Sequence, residues 1–226
     1  MIIDVNEDVT SVLGELKLAG VDGIIGYLNP LGMNAKVMTK ARAQAIADAG
    51  MTLALVSEGW GDFVHGGISA GAGERDALAA LREAEKLGLN VNSGLPCIYF
   101  AVDTDASISQ VNKLVLPYFA AIMRVFDSET KCLVGVYGSG AVCSAVLAAK
   151  SANMSWLACS MGWRGSVDFL ASKIWTLRQH VPSVVAGVHC DVDETGVPGA
   201  AYGAFRPFTA VQVAITEAPP TEEQKS

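Results

Sequence analysis

Charge is scarce in this 226-residue chain: charged residues make up only 17% of it and apolar ones 51%, which excludes a disordered protein and leaves much to bury. No apolar run approaches the ~18 residues that a membrane-crossing helix needs, so no membrane partner is expected. Basic residues are outnumbered 16 to 23, for a net charge of −7, and a nucleic-acid binder would need a basic footprint. Cys97, Cys132, Cys143, Cys159 and Cys190 form no CxxC pair and mostly sit in apolar runs. They read as buried, reduced thiols of a cytosolic product rather than a disulfide framework or a zinc site. His65, His180 and His189 lack metal-ligand spacing and read as ordinary loop or core residues, so no metal or cofactor is expected. The opening Met1-Ile2-Ile3-Asp4-Val5 has neither a basic n-region nor a small-residue cleavage site, and no signal peptide is expected.

What is present centres on Pro96-Cys97-Ile98-Tyr99-Phe100-Ala101-Val102-Asp103-Thr104-Asp105. A continuous apolar run bounded by Pro and polar residues reads as a strand buried on both faces, and two carboxylates follow at its end. Similar strands alternate with helix patterns. Ile2–Val5 ends at Asp4, 22–27 ends at Tyr27, and 52–56 delivers Ser57-Glu58. Asp8 or Thr10 caps a helix running to Ala19, and Thr39 caps another closed by Gly50. A Gly- and aromatic-rich loop from Trp60 to Gly73 precedes an amphipathic helix over roughly 74–87. Ser107-x-x-Gln110 is a capping box for a helix that Pro117 should kink or split before Phe126. Residues 132–137 form a fifth strand followed by a helix over 139–150, and 155–160, 174–177 and 188–191 read as strands six to eight. The connections between these last strands are too short for full crossover helices.

This pattern predicts an α/β fold: an irregular TIM-type (β/α) barrel of eight mainly parallel strands, with helices missing between the last three. It occupies residues 1–206, and 207–226 reads as a linker or disordered tail. An open doubly wound sheet is the rival, but it would want a Gly-rich phosphate loop after the first strand, where this chain has Asp4-Val5-Asn6-Glu7-Asp8.

In a barrel, strand ends bring Asp4, Glu58, Asp103, Asp105 and Asp191 to the carboxyl-end face, where such folds keep their chemistry, and Asp193 lies just beyond. Crowded carboxylates repel, so at least one should hold a proton near neutrality. A protonated acid beside an ionised one is what glycosidic cleavage requires. Residues two apart on a strand lie ~6.6 Å apart, between the retaining and inverting separations, so spacing does not choose a mechanism. Tyr27, Trp60, Phe63, Tyr99, Tyr137, Trp163 and Trp175 offer flat faces suited to sugar rings; core packing is the other reading, stronger for Tyr99 and Trp175. A divalent-metal site for phosphate chemistry is the other use of an acidic cluster, and it lacks a nearby basic residue or partnering His.

These same stretches resemble a glycoside-hydrolase-like domain-of-unknown-function family related to the glycoside hydrolase family 25 lysozymes. The likeness covers most of residues 2–194. Its motifs are the strand 96–105, Ile24-Ile25-Gly26-Tyr27-Leu28, Leu55-Val56-Ser57-Glu58, Gly73-Glu74-Arg75-Asp76-Ala77, Val134-Gly135-Val136-Tyr137-Gly138-Ser139, and Gly187-Val188-His189-Cys190-Asp191-Val192-Asp193. The resemblance implies a lysozyme-like irregular barrel with a carboxylate-lined groove for a peptidoglycan-type polysaccharide. It implies Asp4, Asp103, Asp105 and Asp191 as the matching acids, with Asp105 or Glu58 the proton donor and Asp103 the nucleophile, base or charge stabiliser. Tyr27, Trp60, Tyr99, Tyr137, Trp175, Gln179 and Asp193 are then the substrate contacts. Two departures stand out. Where the lysozymes carry Asp-x-Glu this chain has Asp103-x-Asp105, and where a Gln-Tyr pair is usual it has Gln179-His180. A catalytically inactive carbohydrate-binding domain is therefore the alternative. Work on a cell wall would require export by a non-classical, phage or secretion-system route, with a delivery or immunity partner.

Overall fold

The computed structural model describes residues 1–28, 37–58 and 68–208. Eight strands close a barrel: β1 (Ile2–Asp4), β2 (Gly23–Leu28), β3 (Thr52–Ser57), β4 (Cys97–Ala101), β5 (Leu133–Gly138), β6 (Met154–Leu157), β7 (Leu177–Gln179) and β9 (Val188–Thr195). The first seven run parallel. The last is antiparallel to both of its neighbours, pairing β7 on one side and β1 on the other. A short strand β8 (Ser183–Val185) forms a hairpin with its outer end.

Helices α1 (Leu13–Leu18), α2 (Lys40–Asp48), α3 (Ala70–Lys86), α4 (Ile108–Gln110), α5 (Leu116–Glu129) and α6 (Gly140–Ala148) pack outside. Their starts follow local chemistry: the side chains of Thr39, Ser69 and Ser139 each accept from a backbone N–H in the first turn. Ser107 and Gln110 make the full capping box. At Pro117 the helix is divided rather than broken: a π-helical run, Val111–Val115, passes directly into α5 just before the proline, which lies in the first turn of α5 and has no N–H to donate.

Three differences from the sequence reading matter. A seven-residue helix, α7 (Ser166–Ser172), fits between β6 and β7, entered through Gly165 in the left-handed region. Strand β7 begins at Leu177 rather than at Ile174, so Trp175 precedes it. Strand β9 runs on to Thr195 because it is long enough to pair two neighbours at once. Pro207 is buried, Phe208 packs against the outer core, and Phe205 bridges to Leu53. The remaining residues, 209–226, with the expected tail, lie outside the described residues, as do Trp60, Phe63 and His65.

Alternation along the strands separates two apolar layers. The outer one lies between barrel and helices and includes Ile3, Ile24, Leu53, Ile98 and Val134. The inner one fills the barrel with Ile25, Ala54, Val56, Tyr99, Trp156 and Leu177. Tyr99 fits there because residue 135 is glycine: a Cβ on it would lie 2.3 Å from the tyrosine ring.

The outer helices are locked by one buried polar contact. Asp76 on α3 accepts from the Tyr118 hydroxyl of α5 at 3.1 Å and from Arg75 Nε at 2.8 Å. The two helices approach closely because a Cβ at Gly73 would meet the Tyr118 carbonyl oxygen at 2.3 Å. Removing the acceptor strands a buried hydroxyl, which costs about 1–3 kcal/mol. Asp76→Ala should therefore lower Tm by roughly 2–4 °C per kcal/mol lost, and Asp76→Asn, which keeps an acceptor, by less. Thermal unfolding checks this, and an alanine variant as stable as its parent would show that the contact contributes nothing.

Candidate functional site

At the carboxyl end of the parallel barrel the inward-facing rows of seven strands carry a polar group: Asp4, Tyr27, Glu58, Asp103, Tyr137, Gln179 and Asp191; the last is not at a strand's carboxyl end, where the sequence reading places it, but near the start of β9, which runs antiparallel and so begins at this mouth. Each belongs to the inner row by the period of two: Ala54, Val56 and Glu58 along β3, Tyr99, Ala101 and Asp103 along β4. Together they line a cleft of about 550 Å³. Its floor is Trp156, and Trp163 stands at its edge. Tyr137 meets the Trp156 indole edge-on, with ring centroids 4.7 Å apart.

Barrel closure creates the central electrostatic problem. Asp4 on β1 and Asp191 on β9 are cross-strand partners in register, with both side chains on the inner face. Like charges directly opposite destabilise a sheet. The Gln179 amide answers this: its Nε2 donates to Asp4 Oδ2 at 2.8 Å and to Asp191 Oδ2 at 3.1 Å. Its own orientation is fixed because Oε1 accepts from the Tyr137 hydroxyl at 3.0 Å and the Cys159 amide at 3.3 Å. The Tyr27 hydroxyl donates to the other oxygen of Asp4 at 3.0 Å.

These donors do not fully offset burial. Asp4 is pushed up to about 6, first by burial and then by the charges of Asp191 and Glu58, against the lowering effect of Gln179 and Tyr27. Burial also raises Asp191. The hydroxyls of Tyr27 and Tyr137 are raised by burial and the nearby carboxylates, so they stay protonated and act as fixed donors. Burial likewise raises the thiols of Cys159, at the cleft, and of Cys190, which packs in the outer core, so both are neutral groups rather than thiolates. The unfolded chain gives up the Asp4 proton near pH 4 and the folded chain holds it to about pH 6. The stability this proton confers is therefore lost as pH rises across that window.

Not every residue nominated from sequence reaches the cleft. Asp105 does not line it: β4 ends at Ala101, the period of two lapses, and the Asp105 carboxylate accepts from the Arg164 amide at 2.8 Å. Tyr99 lies two positions below the mouth, fully buried, its hydroxyl on the Tyr202 carbonyl. Trp175 packs in the outer core, with Nε1 donating to the Leu170 carbonyl. Asp193 sits one inward position below Asp191, buried against Trp156. Trp60 lies outside the described residues.

Sequence reasoning missed Trp156, although Ser155-Trp156-Leu157 on a strand offered the signal of an inward-facing aromatic. It also missed Asn6, Cys159, Ser160 and His189, which come from loops and from the β8–β9 hairpin and carry no local mark. Among the described residues, no group of three or more His, Cys, Asp or Glu side chains is arranged to hold a metal ion. No described helix is long and apolar enough to cross a membrane.

The sequence model of the Rv2525c-like, glycoside hydrolase-like domain matches residues 14–196. The chain belongs to that family. The fold agrees: the Tat-secreted protein Rv2525c of Mycobacterium tuberculosis, crystallised in complex with HEPES, superposes with a TM-score of 0.69 at 19% identity, over 88% of this chain and 96% of that one. A crystal structure of an uncharacterized B. stearothermophilus protein gives a TM-score of 0.57 at 15% identity, over 85% of this chain and 94% of that one. In sequence, the "Uncharacterized protein YbfG" of Bacillus subtilis is 30% identical over 141 residues, 58% of this chain and 19% of that protein. The chain thus spans only about a fifth of the length of the curated relatives it matches. The Rv2525c-like chain is therefore a glycoside hydrolase-like barrel with its carboxylates gathered at one mouth.

Gln179→Leu should release the clamp while leaving the barrel strands in place. The Asp4 carboxyl should then titrate above its present value of about 6, since a bond that lowers it is gone. Carboxyl-carbon NMR titration reads this directly, and a value at or below the parent's would disprove the clamp.

Proposed function

We propose that the cleft is a glycosidase site for a cell-wall, peptidoglycan-type glycan, lysozyme- or muramidase-like in its use of paired carboxylates. The observation that carries this reading is the convergence of Asp4, Glu58, Asp103 and Asp191, from four separate strands, around one aromatic-floored cleft. In it Glu58 is the acid that protonates the leaving oxygen, and Asp103 attacks, activates water or stabilises positive charge on the sugar. Asp4 and Asp191 tune the field and orient the sugar. Glu58 is preferred to Asp105 as the acid because it lines the cleft, whereas the Asp105 carboxylate is engaged by the Arg164 amide. Trp163 and Tyr137 supply the flat faces against which a ring packs. The M. tuberculosis relative is a Tat-secreted protein, which supports work outside the cytoplasm.

One observation favours a second reading, a non-catalytic carbohydrate-binding domain on the same barrel. The position that matches the lysozyme acid holds an aspartate, and here that side chain ties the loop after β4 to the loop after β6 instead of facing the cleft.

Muropeptide release from purified peptidoglycan separates the two. Hydrolysis should fall by at least ~10²-fold in Glu58→Gln and in Asp103→Asn, while Asp105→Asn changes it little. Calorimetry with chitooligosaccharides and muropeptides runs alongside. Binding without product over long incubation selects the second reading, and no binding to either glycan removes both.

A further inference from the structure

Beneath the cleft lies an acid that the proposed chemistry does not use. Asp193 is 4% exposed, on the inward face of β9, one inward position below Asp191. Its Oδ1 accepts from Trp156 Nε1 at 2.7 Å, and its Oδ2 has no partner among the described residues. The titratable groups packed around it are Asp4 from β1, Tyr99 from β4, Cys190 and Asp191 from its own strand, and Tyr202 from the segment that plugs the far end. Each of these becomes negative when it ionises; the far-end cavity that Asp193 also lines holds the cations Lys17 and Arg206 and the N-terminal residue Met1 beside Asp22 and Glu194, but Asp193 Oδ2 is bonded to none of them.

An ionised carboxylate there would be stripped of water with one hydrogen bond in return. A neutral acid avoids most of that penalty and still accepts from the indole. We propose that Asp193 is a positioning residue that keeps its proton, and by accepting from the Trp156 indole without adding a charge fixes the cleft floor under Asp4 and Asp191. The direction of its proton affinity agrees: burial, then Asp4 and Asp191, raise it well above the ordinary carboxylate range, against the lowering bond from Trp156. The role is independent of whether the cleft hydrolyses or only binds a glycan.

The sign of the consequence is fixed. The unfolded chain releases this proton near pH 4, and the folded chain keeps it to higher pH. Stability from this group therefore declines as pH rises above about 4 until the folded form also ionises. Asp193→Asn keeps an acceptor for the indole and removes the titration. Its Tm should gain on the parent's by roughly 3–5 °C for each pH unit above 4. The difference should level off only where the parent's Asp193 ionises. The tryptophan emission of the variant should match the parent's at pH 5, and the Asp4 carboxyl should still titrate near 6.

The opposite result is equally clear. A Tm difference that does not change with pH, together with a fall of one unit or more in the Asp4 titration, would mean that Asp193 carries a charge and would overturn the proposal. Carboxyl-carbon NMR of the unmutated protein decides the matter even if the variant does not fold. The Asp193 signal should keep its protonated shift after the exposed aspartates have ionised, and ionisation together with them refutes the assignment.

Discussion

Two carboxylates face each other where the barrel closes. The antiparallel pairing of β1 and β9 sets Asp4 opposite Asp191 on the inner face, an arrangement that a sheet ordinarily avoids. One amide makes it tolerable. Gln179 gives Nε2 to both acids, and its Oε1 is occupied by a tyrosine hydroxyl and a backbone N–H, so it cannot turn over without losing two bonds. The strands on both sides of the seam thus depend on a side chain whose four contacts are all internal. That is why Gln179 reads better as a clamp than as a sugar contact.

The inner row of the barrel changes character along its axis. Midway it is apolar and aromatic, with Tyr99, Trp156 and Leu177 packed together, and at the mouth it turns to acids, hydroxyls and an amide. Burial is the largest cause of the raised proton affinities of Asp4 at the mouth and of Asp193 beneath it. The molecule thus gives up stability at neutral pH to keep weakly acidic carboxyl groups in one place.

The geometry decides the place of one carboxylate that the sequence put with the others, Asp105. Two residues beyond Asp103 the chain has left the strand and begun to turn toward the capping box at Ser107, so its side chain no longer follows the inner row. The carboxylate there accepts from a backbone amide of the neighbouring loop. Glu58, at the end of β3 where the row is still regular, occupies the cleft wall instead.

Much was legible in the chain alone. Apolar runs ending in acids marked β1, β3 and β4, capping residues at Thr39 and Ser107 marked helix starts, and Asp4, Glu58 and Asp103 were legible at strand ends, because burial and alternation are written locally; Asp191 was named with them, but it lies inside antiparallel β9. Tertiary structure decided the rest. Whether Tyr99 lines the cleft or lies beneath it depends on depth along the barrel axis, which no local pattern records. Where β7 starts, and with it the place of Trp175, depends on the partner strand. That Gln179 joins Asp4 across 175 positions of chain, and that Asp193 meets Trp156, follows only from closing the sheet on itself. Local sequence determines which side chains face inward; closure alone determines which of them meet.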